Sequence, residues 1–205
     1  MTFSILSSSG RSHLVSTLFR LALGMLLIAG PTTCLLAQST ANRLDLAVTY
    51  VAGRSVKANA SQSFWMQGGS IELGADAVKG LGVAANLTGV HSDSIGSSAV
   101  PISLVTITFG PRYRWHTGRK ISLYGETLAG EADGFSSLFP GPSGTLRSTN
   151  SLATQIGGGI DYRISERFSA RALQAAWLRT KLPNGTNNIQ NTVEIGAGLV
   201  VRFGR

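Results

Sequence analysis

Charged side chains are scarce in this chain. Asp, Glu, Lys and Arg together make up 14% of its 205 residues, whereas an ordinary soluble domain contains about 25%. Glycine is abundant, with 25 residues, and this abundance beside few helix-favouring Glu and Lys residues disfavours a soluble helical protein. The length suits one domain with a real core, so we expect a single folded domain.

Long hydrophobic runs are also missing, with one exception near the N-terminus. Residues 21–28 (LALGMLLI) are apolar, and Arg11 and Arg20 supply positive charge before them. This pattern is typical of a secretory signal peptide. We therefore predict a signal peptide over 1–37 and a mature domain over 38–205. The alternative, an uncleaved membrane anchor, needs a longer uninterrupted run.

Cysteine occurs once, as Cys34, inside the predicted signal peptide. The mature domain would then have no disulfide, no thiol nucleophile and no cysteine-based zinc site. A lipoprotein acylated at Cys34 is a further alternative, but Pro31, Thr32 and Thr33 are not the small-residue lead-in that such a site needs. We predict no cofactor and no bound metal.

The positive charge of the chain is not concentrated in any segment. The formal net charge is +8, and cleavage after residue 37 would remove Arg11 and Arg20. The remaining Lys and Arg residues are spread singly, without a basic run or a basic helix, so nucleic acid is not an expected partner. Outer-membrane lipid and the phosphates of lipopolysaccharide are the expected partners.

Apolar and polar residues alternate with period two from residue 43 to the end of the chain. Such alternation predicts β-strands with two different faces. Long polar loops and tight turns alternate between the strands, as in barrels with loops at one end and turns at the other. The expected strands are 44–50, 64–77, 81–90, 105–115, 120–131, 155–164, 168–179 and 193–203. The expected long loops are 53–63, 91–101, 132–149 and 180–191, and the expected short turns are 79–80, 116–119 and 165–167.

One strand does not follow a simple alternation. In the seventh, Ser169 and Arg171 share a face, but Gln174 breaks the pattern. A bulge near Leu173 would restore it.

The fold class predicted by this pattern is all-β, an eight-stranded antiparallel up-and-down transmembrane barrel. Each strand has about the 9–11 residues that a tilted strand needs to cross a bilayer, and closure leaves no unpaired edge in lipid. The apolar face would contact lipid and the polar face would line a narrow lumen. The predicted lumen charge network is Asp45, Glu72, Asp76, Arg112, Arg114, Glu126, Asp161, Arg163, Arg171, Glu194 and Arg202.

Glycines and aromatic residues support this assignment of the two faces. Glycines share the charged face, as if they made room for long side chains: Gly74, Gly110, Gly157, Gly159, Gly196 and Gly198. A soluble barrel would instead enclose the apolar face. Aromatic residues lie near predicted strand ends, where membrane girdles occur: Tyr50, Trp65, Tyr113, Trp115, Tyr162, Phe168, Trp177 and Phe203.

The chain resembles the small outer-membrane β-barrel family that includes the eight-stranded OmpA-type membrane domain. Three segments carry the resemblance: FGPRYRW at 109–115, IGGGIDYRI at 156–164 and VEIGAGLVVRF at 193–203. The resemblance implies an outer-membrane location, a monomer and contact with the outer-membrane assembly machinery. Phe203 lies two residues before the end of the chain, whereas the family usually ends on an aromatic residue.

Catalytic candidates are few. Some small barrels deacylate lipid A with a His, a Ser and an acidic residue on their outer surface, and the comparable residues here are His91, Ser92, Asp93 and Ser94. A polar loop explains the same residues without catalysis, so we expect no enzyme activity. His116 has no metal-binding partners near it in sequence. The expected function is a structural or surface-interaction role with the long loops outside the cell. A narrow channel is the first alternative, and a lipid A-modifying enzyme is the second.

Overall fold

The computed structural model describes residues 43–56, 63–95, 100–117, 120–141, 144–185 and 187–203. The predicted signal peptide lies outside these residues. The described part forms eight strands: β1 (Arg43–Val56), β2 (Trp65–Val78), β3 (Leu81–Ser92), β4 (Ile102–Thr117), β5 (Ile121–Gly141), β6 (Gly144–Arg163), β7 (Phe168–Thr180) and β8 (Gln190–Phe203). No helix in these ranges is long and apolar enough to cross a membrane.

The strands form one closed barrel. Each strand pairs with the next in an antiparallel ladder, and β1 pairs with β8 from Leu44↔Phe203 to Val56↔Asn191. Closure pairs the backbone polar groups that would otherwise lie at an open sheet edge. The predicted fold class, an eight-stranded antiparallel up-and-down barrel, is confirmed.

The two faces of the strands have the predicted orientation. On β4, Ile107 is 49% exposed and Phe109 is 71% exposed, whereas Arg112 on the opposite face is 1% exposed. A soluble barrel would have the reverse arrangement, because its apolar side chains would fill the interior. The chain therefore encloses its charged face and exposes its apolar face.

The barrel has a short-turn end and a long-loop end. At the short-turn end, β2 ends at Val78 and β3 begins at Leu81, β4 ends at Thr117 and β5 begins at Ile121, and β6 ends at Arg163 and β7 begins at Phe168. β1 begins and β8 ends at the same end of the barrel. At one of these turns, Lys79 and Gly80 both have positive φ, 51° and 85°, as a tight hairpin turn requires. In outer-membrane barrels short turns face the periplasm and long loops face outward.

The seventh strand contains the predicted bulge. Arg171 pairs with Asp161 on β6, and Leu173 pairs with Ile160, so Ala172 is the extra residue. The ladder to β8 also shifts between Arg171 and Gln174. Because of this insertion, Arg171 and Gln174 both face the lumen and Leu173 faces outward.

The predicted surface loop over 132–149 is wrong. β5 continues to Gly141 and β6 begins at Gly144, so these residues form a long hairpin. Its alternation changes phase once: Ala132 and Gly134 are buried before Phe135, and Ser137 and Phe139 are buried after Ser136. The register with β6 shifts over the same residues. Pro140 and Gly141 lie near the tip, where they pair with Thr145 and Gly144.

The other connections are shorter than predicted for a similar reason. Residues 53–56 belong to β1, residues 91–92 to β3, residues 116–117 to β4, residue 180 to β7 and residues 190–191 to β8. A polar sequence does not end a strand when its neighbour still offers backbone partners, and these residues remain paired beyond the apolar part of each strand.

Candidate functional site

The lumen is the most organised group of polar side chains in the described residues. Near the short-turn end it holds three arginines and four carboxylates in direct contact: Arg112, Arg114, Arg171, Asp45, Glu72, Asp76 and Asp161. We call these seven residues the ion network. They come from five strands, β1, β2, β4, β6 and β7, so the network joins parts of the wall that are not neighbours in the sheet.

Arg112 lies at the centre of the ion network. Its Nη2 donates to Asp45 Oδ2 at 2.7 Å and to Asp76 Oδ1 at 3.2 Å, and its Nη1 donates to Glu72 Oε1 at 3.2 Å. Gly74 lies beside it on β2, and a Cβ there would collide with the guanidinium. This glycine therefore makes room for an arginine, as its position on the charged face predicts.

The other two arginines complete the ion network across the lumen. Arg114 Nη1 donates to Asp161 Oδ2 at 2.7 Å, and Arg171 Nε donates to Asp161 Oδ1 at 3.1 Å. Arg171 also lies 4.4 Å from the ring centroid of Tyr124. Burying these charges is tolerated because each has a partner of opposite sign with good geometry.

Four predicted lumen charges lie outside the ion network. Glu126 and Glu194 face the lumen and are each 5% exposed, so the inward assignment of Glu126 is correct. Among the described residues, Glu126 Oε2 and Glu194 Oε1 have no hydrogen-bond partner. Arg163 and Arg202 are only half-buried at the short-turn end, and Arg202 Nη2 donates to Ser122 Oγ at 3.2 Å.

Most glycines on the charged face serve a purpose other than the predicted one. A Cβ on Gly110, Gly157 or Gly198 would meet the backbone of the adjacent strand rather than a charged side chain. Gly196 has the same environment, and Gly159 lies against both a backbone oxygen and the Tyr124 ring. These residues allow close approach of strands in a tightly curved wall.

The long-loop half of the lumen contains an apolar cluster, which the sequence analysis did not predict. We call this cluster the outer plug: Val51, Met66, Val90, Ile102, Leu104, Ala132, Phe139, Ala153, Leu178 and Leu182. Phe64 and Ile95, from two connections at the long-loop end, pack against it. The signal was present in the sequence, because Ile102 and Leu104 share the inward parity of Thr106 and Thr108.

Between the outer plug and the ion network, the lumen is lined by uncharged polar groups. Thr88 Oγ1 donates to Asn86 Oδ1 at 2.6 Å, and Asn86 Nδ2 donates to Glu72 at 3.4 Å. Thr108 Oγ1 donates to Gln155 Oε1 at 3.3 Å on the other side. Side chains thus occupy the lumen at the levels of the outer plug, of these polar groups and of the ion network, as expected for a barrel of eight strands.

The structure brings together only part of the predicted catalytic group. His91 Nε2 lies 3.2 Å from Asp93 Oδ1, and His91 Nδ1 lies 2.9 Å from the hydroxyl of Ser103, a residue on β4 that the sequence analysis missed. Ser92 faces inward and its Oγ donates to the Ser94 carbonyl oxygen, so the Ser92 hydroxyl is directed away from His91. The Asp93 side chain is 99% exposed, a poor setting for orienting a catalytic imidazole.

Metal binding has no structural support in the described ranges. They contain no group of three or more His, Cys, Asp or Glu residues arranged to hold an ion. His116 is exposed near the end of β4, at the short-turn end.

The predicted aromatic residues all face outward. Trp65, Trp177 and Tyr50 are exposed on the half nearer the long loops, and Tyr113, Trp115, Tyr162, Phe168 and Phe203 are exposed nearer the short turns. Tyr113 and Trp115 contact each other edge to face, with centroids 4.4 Å apart. Exposed aromatic rings near both ends of an apolar surface are typical of membrane girdles.

Solved structures of small outer-membrane barrels share this fold. Neisserial surface protein A is 15% identical over 78% of this chain and 97% of its own, with a TM-score of 0.58. Ail, the attachment invasion locus protein of Yersinia pestis, is 16% identical over 78% of this chain and 98% of its own, with a TM-score of 0.53, in a complex with the heparin analogue sucrose octasulfate. No protein-family model matches the sequence, and no curated protein does. The expected likeness to small outer-membrane barrels is confirmed as a likeness of fold.

Proposed function

We propose that this protein, which has the fold of small outer-membrane barrels, is a structural barrel of the outer membrane with a surface-interaction role. The observation that carries the proposal is the pairing of an exposed apolar wall with a lumen that is crossed by ion pairs and holds an apolar cluster. The wall suits a lipid solvent. The lumen holds ion pairs and an apolar plug in place of a water-filled path.

The proposed location requires export by the predicted signal peptide and insertion by the outer-membrane assembly machinery. The long-loop end then faces outside the cell, and outer-membrane lipid and lipopolysaccharide surround a monomer. To test this, the full chain would be expressed in a Gram-negative host and the envelope fractionated. We expect a sarkosyl-insoluble protein whose band shifts on boiling. Recovery in the soluble periplasm would overturn the proposal.

The channel alternative makes an opposite prediction in planar bilayers. The outer plug and the ion network both block the lumen, so the purified barrel should give no current steps above the background of empty bilayers. A refolded porin serves as the positive control. Regular conductance steps that survive the removal of contaminants would favour a channel over a structural role.

The enzyme alternative depends on the contacts of His91 with Ser103 and Asp93. A hydrolase would use Ser103 as the nucleophile and His91 as the base. We expect no change in the mass of lipid A when the protein is expressed. A mass loss that disappears in both His91→Ala and Ser103→Ala would instead support catalysis, and Ser92→Ala is the matched control because its side chain faces inward.

A further inference from the structure

A groove crosses the exposed apolar wall where β1 to β4 meet. Two outward-facing glycines, Gly69 on β2 and Gly89 on β3, pair with each other and form its floor. Its walls are the side chains Val48, Ile71, Leu87 and Val105. The groove has a volume of about 350 Å³ and an almost entirely apolar lining. A space of this shape and chemistry suits a hydrocarbon chain.

The glycines are not explained by tight packing of the wall. A Cβ on Gly69 would lie 3.4 Å from the Thr49 carbonyl oxygen, and one on Gly89 would lie 4.0 Å from Val105 Cγ2. These are ordinary contacts, so a Cβ fits at either position. By comparison, a Cβ on the neighbouring Gly68 would collide with the backbone of Gly89. The absence of side chains at Gly69 and Gly89 therefore leaves space that the fold itself does not require.

A cationic group lies beyond the groove, toward the long-loop end. Tyr50 on β1 pairs with Gly69, and Arg54 is four residues further along, about 10 Å nearer the membrane surface for a tilted strand. Arg54 pairs with Trp65, and its guanidinium carbon lies 5.6 Å from the centroid of that ring. Its Nη2 also donates to Ser63 Oγ at 3.3 Å. These two contacts hold the guanidinium at a defined place.

The height of Arg54 fits the headgroup level of a membrane. It lies ten residues beyond Leu44, the first exposed apolar residue of β1. Ten residues of tilted strand rise about 25 Å, the height of the apolar band of an outer-membrane barrel. Between Arg54 and the groove, Tyr50 Oη donates to Gln67 Oε1 at 2.9 Å. This pair places polar side chains between the cationic group and the apolar groove.

Charge at this level differs around the barrel. The outward-facing acids Asp93, Glu131 and Asp133 lie on the β3 to β5 side, whereas Arg54 makes no ion pair with any carboxylate in the described ranges. An anion at the rim is therefore repelled from the β3 to β5 side and attracted to the sides that carry outward-facing cations, Arg54 on β1 and Arg179 on β7. Of these two arginines, Arg54 is the one on the strands that form the groove. Guanidinium groups bind phosphate with charge-assisted hydrogen bonds.

We propose that Arg54 and the Gly69–Gly89 groove form a binding site for one phosphate-bearing lipid of the outer leaflet. In this site the phosphate of the lipid contacts Arg54. Tyr50 and Gln67 lie at the level of the linkage between the headgroup and the acyl chains, and one acyl chain fills the groove. The proposal rests on the proposed location in the outer membrane. It adds a defined lipid position to the general lipid contact that any membrane barrel makes.

The test uses the full-length barrel in detergent micelles and lipopolysaccharide as the probe, with binding followed by native mass spectrometry. We expect one tightly bound lipid on the wild type and about tenfold weaker binding for Arg54→Gln, because one charge-assisted contact is lost. Gly89→Leu should weaken binding similarly by filling the groove. Lipopolysaccharide stripped of its phosphates should bind the wild type as weakly as Arg54→Gln binds the intact probe.

Two control variants separate a site from a general surface effect. Gly125→Leu adds the same side chain to another outward-facing glycine, on the β5 to β7 side beside Trp115. Lys120→Gln removes an exposed positive charge at the short-turn end. Both should bind the lipid like the wild type, and all variants should show the heat-dependent gel shift of a folded barrel.

Several outcomes overturn the site. Equal binding by the wild type, Arg54→Gln and Gly89→Leu would do so, as would equal binding of the phosphate-free probe. A dimer that dissociates in Gly89→Leu would assign the groove to a second copy of the chain. Recovery of the wild type in the soluble periplasm would instead contradict the proposed outer-membrane function. Failure of the lipid site and failure of the proposed function are therefore distinguishable.

Discussion

Arg112 shows how much a single side chain contributes to this lumen. It is 1% exposed and bonds to three carboxylates on two strands. Arg112→Ala would leave Asp45, Glu72 and Asp76 with less compensating charge in a region without bulk water. Breaking a buried ion pair in this way costs about 3–5 kcal/mol. We expect a clearly lower urea midpoint for unfolding from micelles, followed by tryptophan fluorescence.

The control for Arg112 is an arginine with the same chemistry and no buried partner. Arg179 is exposed near the long-loop end, so Arg179→Ala should leave the unfolding midpoint unchanged. An equal effect of the two substitutions would show that the ion network contributes little to stability.

A substitution at Gly74 tests whether the Arg112 guanidinium is the reason that this position requires glycine. Gly74→Ala would place a Cβ against the Arg112 guanidinium, which its ion pairs hold in place. Overpacking of this kind costs about 1–3 kcal/mol, again measured as a shift in the urea midpoint. Gly69→Ala is the matched control, because its Cβ makes only an ordinary contact at 3.4 Å with Thr49. A neutral Gly74→Ala would indicate that the guanidinium can move aside.

At the scale of elements, the bulge in β7 is the most testable feature. Ala172 is the extra residue against both neighbouring strands. Its deletion would give β7 a regular alternation with Arg171 inward and Leu173 outward. We expect this deletion variant to refold in micelles with a normal gel shift on boiling.

Deletion of a paired residue of the same type provides the contrast. Removing Ala175, which pairs with Gly158 and Ile195, would turn Trp177 inward and Leu178 outward, since one residue reverses every side chain beyond it. That variant should fail to refold. Failure of both deletions would show that the bulge itself is required.

The elements also show where sequence reasoning works and where it stops. Period-two alternation identified all eight strands and the bulge, because facing toward lipid or lumen is a local property of each residue. The ends of the strands were misjudged at 132–149 and at 53–56. Whether a polar residue stays in a ladder depends on the length of its neighbour, which alternation within one strand does not report.

The candidate site was readable only in part for a similar reason. The lumen charges could be selected by parity, but the partners of Arg112 or Arg171 depend on the shear of the closed barrel. The outer plug was missed because residues such as Val51 and Leu104 lie beyond the ends of the predicted strands 44–50 and 105–115, whereas β1 and β4 extend past them. Ser103 was missed because its contact with His91 joins residues of two strands.

At the scale of the whole molecule, orientation in the membrane is the main prediction. In a Cys34→Ser background, Ser94→Cys and Gly185→Cys at the long-loop end should react with an impermeant maleimide on intact cells. Glu166→Cys, in the short turn between β6 and β7, should react only after the outer membrane is permeabilised. Labelling of Glu166→Cys on intact cells, with Ser94→Cys protected, would reverse the proposed orientation.

The uneven filling of the lumen implies uneven mechanical properties along the barrel axis. At the short-turn end, guanidinium groups tie β4 to β1 and β2, and β7 to β2, so opposite sides of the wall are connected as if by struts. The long-loop half is held by dispersion contacts in the outer plug, which have no preferred direction. The cross-section should therefore resist flattening at its base and deform more readily at its mouth, with amide exchange fastest near Leu182 and slowest around Asp45 and Asp161.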